Sequence, residues 1–469
     1  MRFNIFIGLL SASIFLSGTS VAEELRSSAM PSSWQYYDNG YSQTFPDEDS
    51  WWKGFNDPVL DSLITLGVKN NYNLSEAAHR MAISRQEMRM SQSGYYPVIG
   101  LDTGWNASRT SGNMTSHSIP PANTSYFSAG LNMSWEIDIF GRISAQSKQK
   151  KNLWQASRAE YAAAMVALCA NIADTYVQLR AAQTRLQIAQ KHLQSQDKVL
   201  KITQARYESG LSSKLDVAQA STIYYSTEAS IPSIKISITV ALNSLAILIG
   251  EFPEHLSADL TNDAPIPAYS KAVGIGVPMD ILRRRPDIAQ AEFQLSAQAA
   301  ALGVAKKDYF PSLSITGSIG FSSHDIGDLP RKRSMDYSIA PRLTWTIFDG
   351  FARNAAVASA RENMMASIDN YNLSVITAIE EVENALTRYS MSLQAIESLS
   401  SVVENAKEAF DLSLDLYKQG LTGFTEVADA QINLLQYTDQ LVITKGTASR
   451  SLINLYEALG GGWTIDNIN

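Results

Sequence analysis

The amino-acid sequence matches itself, and the two copies lie about 210 residues apart. The run WEI at 135–137 recurs as WTI at 345–347, and YESG at 207–210 recurs as YKQG at 417–420. A repeat of this length is a duplicated structural module rather than a short solenoid unit. The chain is therefore expected to fold as two similar halves, each built from the same succession of elements.

The same matches place the halves and the joint between them. A third match, YYP at 95–97 with YFP at 309–311, extends the repeat toward the N-terminus. We predict one half at 57–250 and the other at 278–460. The linker between them, at 251–277, contains three prolines and two glycines, as a connecting segment should.

Each half contains a pair of segments in which apolar and polar residues alternate. The alternation is strict along 127–137, 311–321 and 337–347, and less regular along 98–107. Because successive side chains of a strand point to opposite faces, this pattern predicts strands with one apolar and one polar face. Such strands fit a half-buried sheet of a soluble domain, or a membrane barrel whose apolar face meets lipid.

The N-terminus favours the membrane interpretation. A short apolar stretch at 5–16, followed by small residues up to Ala22, predicts a cleaved signal peptide at 1–22. We expect an extended segment at 23–56, a short C-terminal tail at 461–469, and no further segment apolar enough to be a membrane helix. An exported chain of this kind can still span a membrane through strands of ~9–11 residues.

Four strands cannot form a membrane barrel alone. An open sheet edge in lipid leaves backbone groups without hydrogen bonds, and membrane barrels begin at about 8 strands. Two chains would supply about 8 strands and a filled interior, whereas three would supply about 12 and leave a lumen. Trp105, Trp135 and Trp345 lie where aromatic girdles are expected.

Two stretches lack proline and glycine over an unusual length. They run from Arg142 to Ser209 and from Ala352 to Gln419, and each would extend about 100 Å as one helix. Gly210 and Gly420 then end each helix, so each half should form a long helical hairpin. A stripe of small residues suits close helix packing: Ala159, Ala162, Ala163, Val166, Ala170 and Ala173.

Little in the composition points to catalysis or nucleic-acid binding. The net charge of −8 disfavours a phosphate-reading surface, and Cys169 is the only cysteine. The five histidines form no i, i+4 pair for a metal, and neither a phosphate-binding glycine loop nor a nucleophile elbow occurs. The acids Glu380, Glu381 and Glu383 fit a solvated helix face. We expect no enzyme activity, metal or cofactor.

Five segments, in this order, resemble the TolC-like outer membrane factors, in particular the OprM/NodT branch. Together with the repeat, the resemblance covers nearly all of the chain after the signal peptide. The segments are SWEIDIFGR at 134–142, RRPDIAQAE at 284–292, FPSLSITGSIG at 310–320, LTWTIFDG at 343–350 and ALGGGW at 458–463.

The resemblance implies a mainly α-helical fold with a membrane β part. Long helical hairpins would form a periplasmic α-barrel tunnel, and the four strands of each chain would join a trimeric 12-stranded barrel in the outer membrane. It also implies a passive exit duct that docks to a periplasmic adaptor and an inner-membrane pump, commonly of the RND type. One departure is Thr19: members of this branch often carry an acylated cysteine after the signal, so a lipid anchor is not expected here.

The resemblance assigns roles at the two hairpin turns, 207–220 and 417–430. Glu426 and Asp429 match acids that form rings at the closed periplasmic aperture. Their i, i+3 spacing puts both carboxylates on one helix face. A simpler interpretation is a solvated acidic pair that complements the start of a helix.

The resemblance also implies a latch between neighbouring hairpins. Its tyrosine and aspartate correspond to Tyr417 and Asp216, whereas its arginine corresponds to Thr422 and would be missing. An alternative to the duct is a periplasmic coiled-coil scaffold or stalk without transport activity. Such a scaffold would not require two pairs of two-faced strands.

Overall fold

A computed structural model describes the chain at residues 34, 50–111, 113, 123–256, 260, 262, 264–269, 273–275 and 284–461. The predicted signal peptide with Thr19, and residues 462–469 of the predicted tail, lie outside the described residues. Within this part of the chain, the helices and strands are α1 Pro58–Asn70, α2 Tyr72–Gln92, β1 Val98–Arg109, β2 Asn123–Ile137, α3 Arg142–Glu208, α4 Lys214–Leu248, α5 Pro286–Lys307, β3 Ser312–Ser323, β4 Met335–Thr344, α6 Ala352–Gln419 and α7 Phe424–Ala458.

The first half begins with two helices, α1 and α2. Asp57 starts α1 as its N-cap, because its carboxylate accepts the backbone N–H groups of Val59 and Leu60 at 2.9 and 3.2 Å. The chain breaks at Asn71, whose side chain accepts from the N–H of Leu74 at 2.9 Å and so starts α2. From α2 and α5 onward, both halves follow the predicted order of helix, strand, strand, long helix and return helix.

The two long helices have the predicted length. Helix α3 contains 67 residues and α6 contains 68, and each ends within one residue of the predicted limit. Most of the predicted small-residue stripe on α3 is buried, namely Ala159, Ala162, Val166, Ala170 and Ala173. Small side chains let helix backbones approach closely, so this stripe lies where α3 packs.

The four strands form one antiparallel sheet in the order β1-β2-β3-β4. The register pairs odd-numbered residues with odd-numbered ones throughout, for example Trp105 with Phe127 and Ile319 with Tyr337. The sheet therefore has two distinct faces. The odd-numbered face is mostly apolar, with Ile99, Leu101, Trp105, Phe127, Leu131, Met133, Trp135, Leu313, Ile315, Ile319, Phe321, Tyr337, Ile339 and Leu343. The even-numbered face is mostly polar, with Asp102, Asn106, Ser128, Asn132, Ser134, Ser314, Thr316, Ser318, Ser322, Asp336, Ser338 and Arg342.

Strand β4 is shorter than the sequence predicts. It ends at Thr344, so Trp345 and Ile347 lie beyond it. The indole N–H of Trp345 instead donates to the carbonyl oxygen of Tyr309 at 2.9 Å. Trp135 makes the equivalent bond to the carbonyl oxygen of Tyr95 at 3.0 Å, from inside β2. Both halves thus tie a tryptophan to the residues that precede the first strand of their pair.

The chain divides into two compact units that do not coincide with the two repeat halves. The first contains Met1–His79, Arg158–Ala289 and Leu373–Asn469, and the second contains Arg80–Ser157 and Gln290–Asn372. Each unit takes segments from both halves. All four strands belong to the second unit, whereas both hairpin turns belong to the first.

Two expectations about local structure need correction. Within 23–56 we expected an extended chain, but Trp51–Phe55 form a short 3-10 helix. Its Trp51 is buried and stacks on Tyr456, with ring centroids 5.4 Å apart. We also expected no apolar segment long enough for a membrane helix, yet α3 and α4 each contain an 18-residue stretch that meets the criteria of length and composition. In α3 more than half of that stretch is buried inside the protein, so packing accounts for its apolar character.

Candidate functional site

The turn of the first hairpin forms a Schellman motif at the end of α3. The N–H of Leu211 donates to the carbonyl of Arg206 at 2.8 Å, and the N–H of Gly210 donates to that of Tyr207 at 2.9 Å. Gly210 has a φ of +73°, a conformation that disfavours residues with a Cβ. This geometry ends the helix and reverses the chain.

The turn of the second hairpin repeats this geometry 210 residues later. The N–H of Leu421 donates to the carbonyl of Leu416 at 2.9 Å, and the N–H of Gly420 donates to that of Tyr417 at 3.0 Å. Gly420 has a φ of +76°. Both glycines singled out in the sequence therefore lie at the turn between the helices of a hairpin.

An apolar cluster packs the two hairpins of one chain against each other next to these turns. It takes residues from α3, α4, α6 and α7, all within the first compact unit. Its buried members are Val199, Ala220, Ile223, Phe410, Tyr417, Phe424, Val427 and Ala428. The cluster holds the side chains described below in a defined arrangement.

Asp216 lies at the third position of α4, in a capping box with Ser213. The hydroxyl of Ser213 accepts from the N–H of Asp216 at 3.2 Å, and the N–H of Ser213 donates to the Asp216 carboxylate at 3.3 Å. The hydroxyl of Ser212 also donates to this carboxylate, at 2.7 Å. Asp216 is thus held by three groups of its own turn.

Tyr417 reaches the same place from the other hairpin. It is 2% exposed, and its ring lies edge-on to Phe424 with centroids 5.5 Å apart. Its hydroxyl lies 3.3 Å from that of Ser212. Ser212 therefore links the two predicted latch residues, because it contacts both Tyr417 and the Asp216 carboxylate.

Arg206, which the sequence analysis missed, also joins the two hairpins. Its guanidinium carbon lies 4.8 Å from the ring centroid of Tyr417, and Nη1 donates to the carbonyl of Lys418 at 2.9 Å. A guanidinium thus occupies the site even though the residue predicted at its usual position is Thr422. The repeat contained the signal: the position equivalent to Arg206 is Leu416, so the two halves differ there.

The positive charge of Arg206 also affects the pKa of Asp216. Burial raises the pKa of the Asp216 carboxyl, but the hydrogen bonds from Ser212 and Ser213 and the nearby Arg206 charge lower it by more. The net effect holds the pKa of Asp216 below its ordinary value. The carboxylate is therefore ionised at neutral pH.

The two predicted aperture acids lie at the start of α7, on its exposed side. Glu426 and Asp429 are both exposed, whereas Val427 and Ala428 between them are buried in the cluster. Glu426 is the repeat equivalent of Asp216, but its N-cap is Gly423, which has no side chain to bind it. Glu426 therefore has no capping box, and its Oε2 lies beside Gly423, 3.1 Å from where a Cβ of that residue would be.

The remaining candidates for chemistry have structural surroundings. Burial raises the pKa of the Cys169 thiol to about 12, so Cys169 stays protonated and packs as an apolar residue. Glu380 and Glu381 are exposed, as expected of a solvated face, and Glu381 also pairs with Nη2 of Arg285 at 2.6 Å. Among the described residues, no cluster of histidine, cysteine, aspartate or glutamate could hold a metal ion.

The sequence matches the outer membrane efflux protein family over residues 63–251 and 277–461. Nodulation protein T of Rhizobium leguminosarum bv. trifolii is 28% identical over 428 residues, which cover 90% of this chain and 90% of that protein. The probable efflux pump outer membrane protein TtgC of Pseudomonas putida is 28% identical over 418 residues, covering 89% and 86%.

Solved structures share the fold as well. The outer-membrane channel OprN superposes with a TM-score of 0.87 at 30% identity, covering 92% of this chain and 97% of that one. The long helices and four antiparallel strands are therefore those of the TolC-like fold. The chain belongs to the outer membrane efflux protein family, and it is an outer-membrane efflux channel protein rather than an enzyme.

Proposed function

We propose that three identical chains form one passive exit duct, through which drugs or other small molecules expelled by an inner-membrane pump leave the cell. The observation that carries this proposal is the sheet, which has one apolar face, one polar face and two edges paired on one side only. In lipid, both edges must be paired, because an unsatisfied backbone group there costs several kcal/mol. Three chains supply about 12 strands, which close a barrel around a lumen.

A close contact between two glycines lies on the polar face, which we place on the lumen side. Gly130 and Gly320 are paired across β2 and β3, and both belong to the even-numbered, polar face. A Cβ added to Gly320 would lie 2.7 Å from the Cα of Gly130. The strands therefore approach each other closely at this pair, where the polar face has no room for a larger side chain.

Exposed apolar residues on α4 support contact between subunits. Ile236, Val240 and Ile247 are large, apolar and exposed in the single chain. A soluble helix with such a face is normally covered by a partner. Helices of the neighbouring subunits would cover this face in a closed tunnel wall. The halves 57–250 and 278–460, joined by the linker 251–277, would contribute equivalent helices to that wall.

The partners and the position in the cell extend the same proposal. The helical hairpins would reach into the periplasm and dock to a membrane-fusion adaptor and an inner-membrane pump of the RND type. The barrel would hold the protein in the outer membrane without an acyl chain, as Thr19 supports. Intact-mass measurement of the mature protein tests the last point, since an acylated N-terminus would contradict it.

We propose that the hairpin turns close the tunnel at rest. Glu426 and Asp429 of three chains would surround the axis as acidic rings, and Tyr417 and Asp216 would latch the hairpins. Gly210 and Gly420 would provide the turns. The exposure of both acids and the link through Ser212 support these roles.

Mass and conductance together test the duct. The protein extracted from outer membranes should run as a heat-modifiable species with the mass of three chains, and the same preparation should give discrete channels in planar bilayers. A trimer without conductance would contradict the duct and favour the coiled-coil scaffold. The scaffold is the weaker alternative, because it gives the two-faced sheet no role. A monomer without conductance would contradict the proposal.

A further inference from the structure

The apolar face of the sheet ends in aromatic residues on the side away from the helices. Trp105 is 63% exposed there, and Phe127 pairs with it. From Phe127 to Trp135, at the other end of β2, the strand extends about 27 Å. At the ~35–45° tilt of barrel strands this corresponds to a height of roughly 20 Å, close to the ~25 Å apolar band of a membrane barrel. The row at Trp105 therefore marks the outer border of the apolar band.

Three basic residues lie just beyond this border. Arg109 is the last residue of β1, on the same face as Trp105 and four positions past it. Lys332 and Arg333 lie in the connection between β3 and β4, directly before Ser334 and the start of β4. All three are exposed. All three lie at the end of the sheet that carries Trp105, where lipid headgroups begin in the barrel proposed above.

The acidic residues of the same region are occupied by other groups. Asp328 pairs with Arg331 at 2.6 Å, and Asp325 accepts the N–H of Gly327 at 2.9 Å. Asp336 lies on the polar face and accepts from the hydroxyl of Ser322 at 2.6 Å. Among the described residues, Arg109, Lys332 and Arg333 pair with none of these acids. The outer end thus presents positive charge next to an apolar, aromatic surface.

We propose that Arg109, Lys332 and Arg333 bind the phosphate groups of an anionic lipid in the outer leaflet of the membrane. The apolar face next to them takes the acyl chains, and the arginines are suited to bind phosphate oxygens with two N–H groups at once. A lipid is favoured over free phosphate because the cations lie along the border of the apolar face. The proposal rests on the barrel proposed above, which puts this end at the outer surface.

The test uses the full-length protein in detergent and native mass spectrometry. Diphosphoryl lipid A is titrated against the wild type and against a variant with Arg109→Gln, Lys332→Gln and Arg333→Gln. A matched control makes the same charge change on exposed helix residues, with Lys198→Gln, Lys235→Gln and Lys407→Gln. A cation at a membrane surface contributes about fivefold to affinity, so the triple variant should bind roughly 10- to 100-fold more weakly. The control should bind like the wild type.

Two further arms separate the sources of phosphate. Lipid A without its phosphates should bind as weakly as the diphosphoryl lipid binds to the triple variant, and inorganic phosphate should not compete at millimolar concentration. Equal binding of the triple variant and the wild type would overturn the proposal. The proposal would also be overturned if the wild type bound lipid A without phosphates as tightly as diphosphoryl lipid A, or if inorganic phosphate competed with diphosphoryl lipid A at millimolar concentration. Conductance of the same preparations reports on the duct separately, and the triple variant should conduct like the wild type.

Discussion

The guanidinium of Arg206 lies over the ring of Tyr417, with 4.8 Å between its central carbon and the ring centroid, and joins the two hairpins of one chain. A hydrogen bond from Arg206 to the carbonyl of Lys418 strengthens the same link. The contact exists on one side of the repeat only, since the equivalent position is Leu416 and the equivalent tyrosine, Tyr207, is 43% exposed.

Replacing Arg206 with the residue of its repeat equivalent should loosen the closed state. Arg206→Leu removes the cation–π contact and one hydrogen bond, together about 1–2 kcal/mol. If these contacts exist only when the hairpins are closed, the ratio of open to closed channels should rise roughly 5–30-fold. Single-channel recordings measure this ratio. Tyr207→Phe, on the exposed equivalent of Tyr417, is the matched control, and equal open probability in the two variants would contradict the prediction.

The link through Ser212 predicts how the latch variants differ. Asp216→Ala removes the capping box of α4 and the bond from Ser212, so it should cost about 0.5–2 kcal/mol and open the channel more often. Tyr417→Phe keeps the ring in the cluster and loses only the hydroxyl contact, so its effect should be smaller. In single-channel recordings, Ser212→Ala should raise the open probability at least as much as Tyr417→Phe does. If Tyr417→Phe raised the open probability strongly and Ser212→Ala left it unchanged, Ser212 would not be the link.

The exposed acids at the start of α7 should set the ion preference of the channel. Glu426→Gln with Asp429→Asn removes six carboxylates from a trimer, and a constriction lined with carboxylates attracts cations. The reversal potential in a KCl gradient should therefore move toward that of a non-selective pore. Glu251→Gln with Glu254→Gln, two exposed acids that follow α4, should leave the reversal potential unchanged. A shift of similar size in both double variants would exclude a specific role for the first pair.

Glu457 should make the stability of the protein depend on pH. Burial raises the pKa of this carboxyl above its ordinary value of 4.5, and the nearby carboxylate of Glu381 raises it further. The folded state then binds more protons than the unfolded state between the two pKa values. Stability is therefore full below the ordinary pKa and falls as the pH rises through the raised one. As the pH rises from about 5 to about 8, the Tm of Glu457→Gln should fall less than the Tm of the wild type.

An exposed carboxyl provides the control for this measurement. Glu254→Gln should keep the pH dependence of the wild-type Tm, because Glu254 is exposed. Identical pH profiles for Glu457→Gln and the wild type would mean that ionisation of Glu457 does not affect folding.

Local patterns explain which parts of the fold were predictable. The ends of α3 and α6 followed from the positions of Gly210 and Gly420 alone, because each glycine directly follows a long stretch without proline or glycine. Alternating polarity likewise predicted the strands. It failed at Trp345, because the alternation continues past Thr344, whereas the pairing of β4 ends there, opposite the first residue of β3, Ser312.

The sequence by itself determined the duplicated order of elements, the long hairpins and the two faces of the sheet, because each depends on residues close together in the chain. Only the tertiary structure decided that Ser212 links Tyr417 to Asp216 and that Arg206 provides the guanidinium. Arg206 and Ser212 are each more than 200 residues from the side chain or carbonyl that they contact in the second hairpin. Such contacts depend on how the apolar cluster packs four helices together, and no local pattern contains that information.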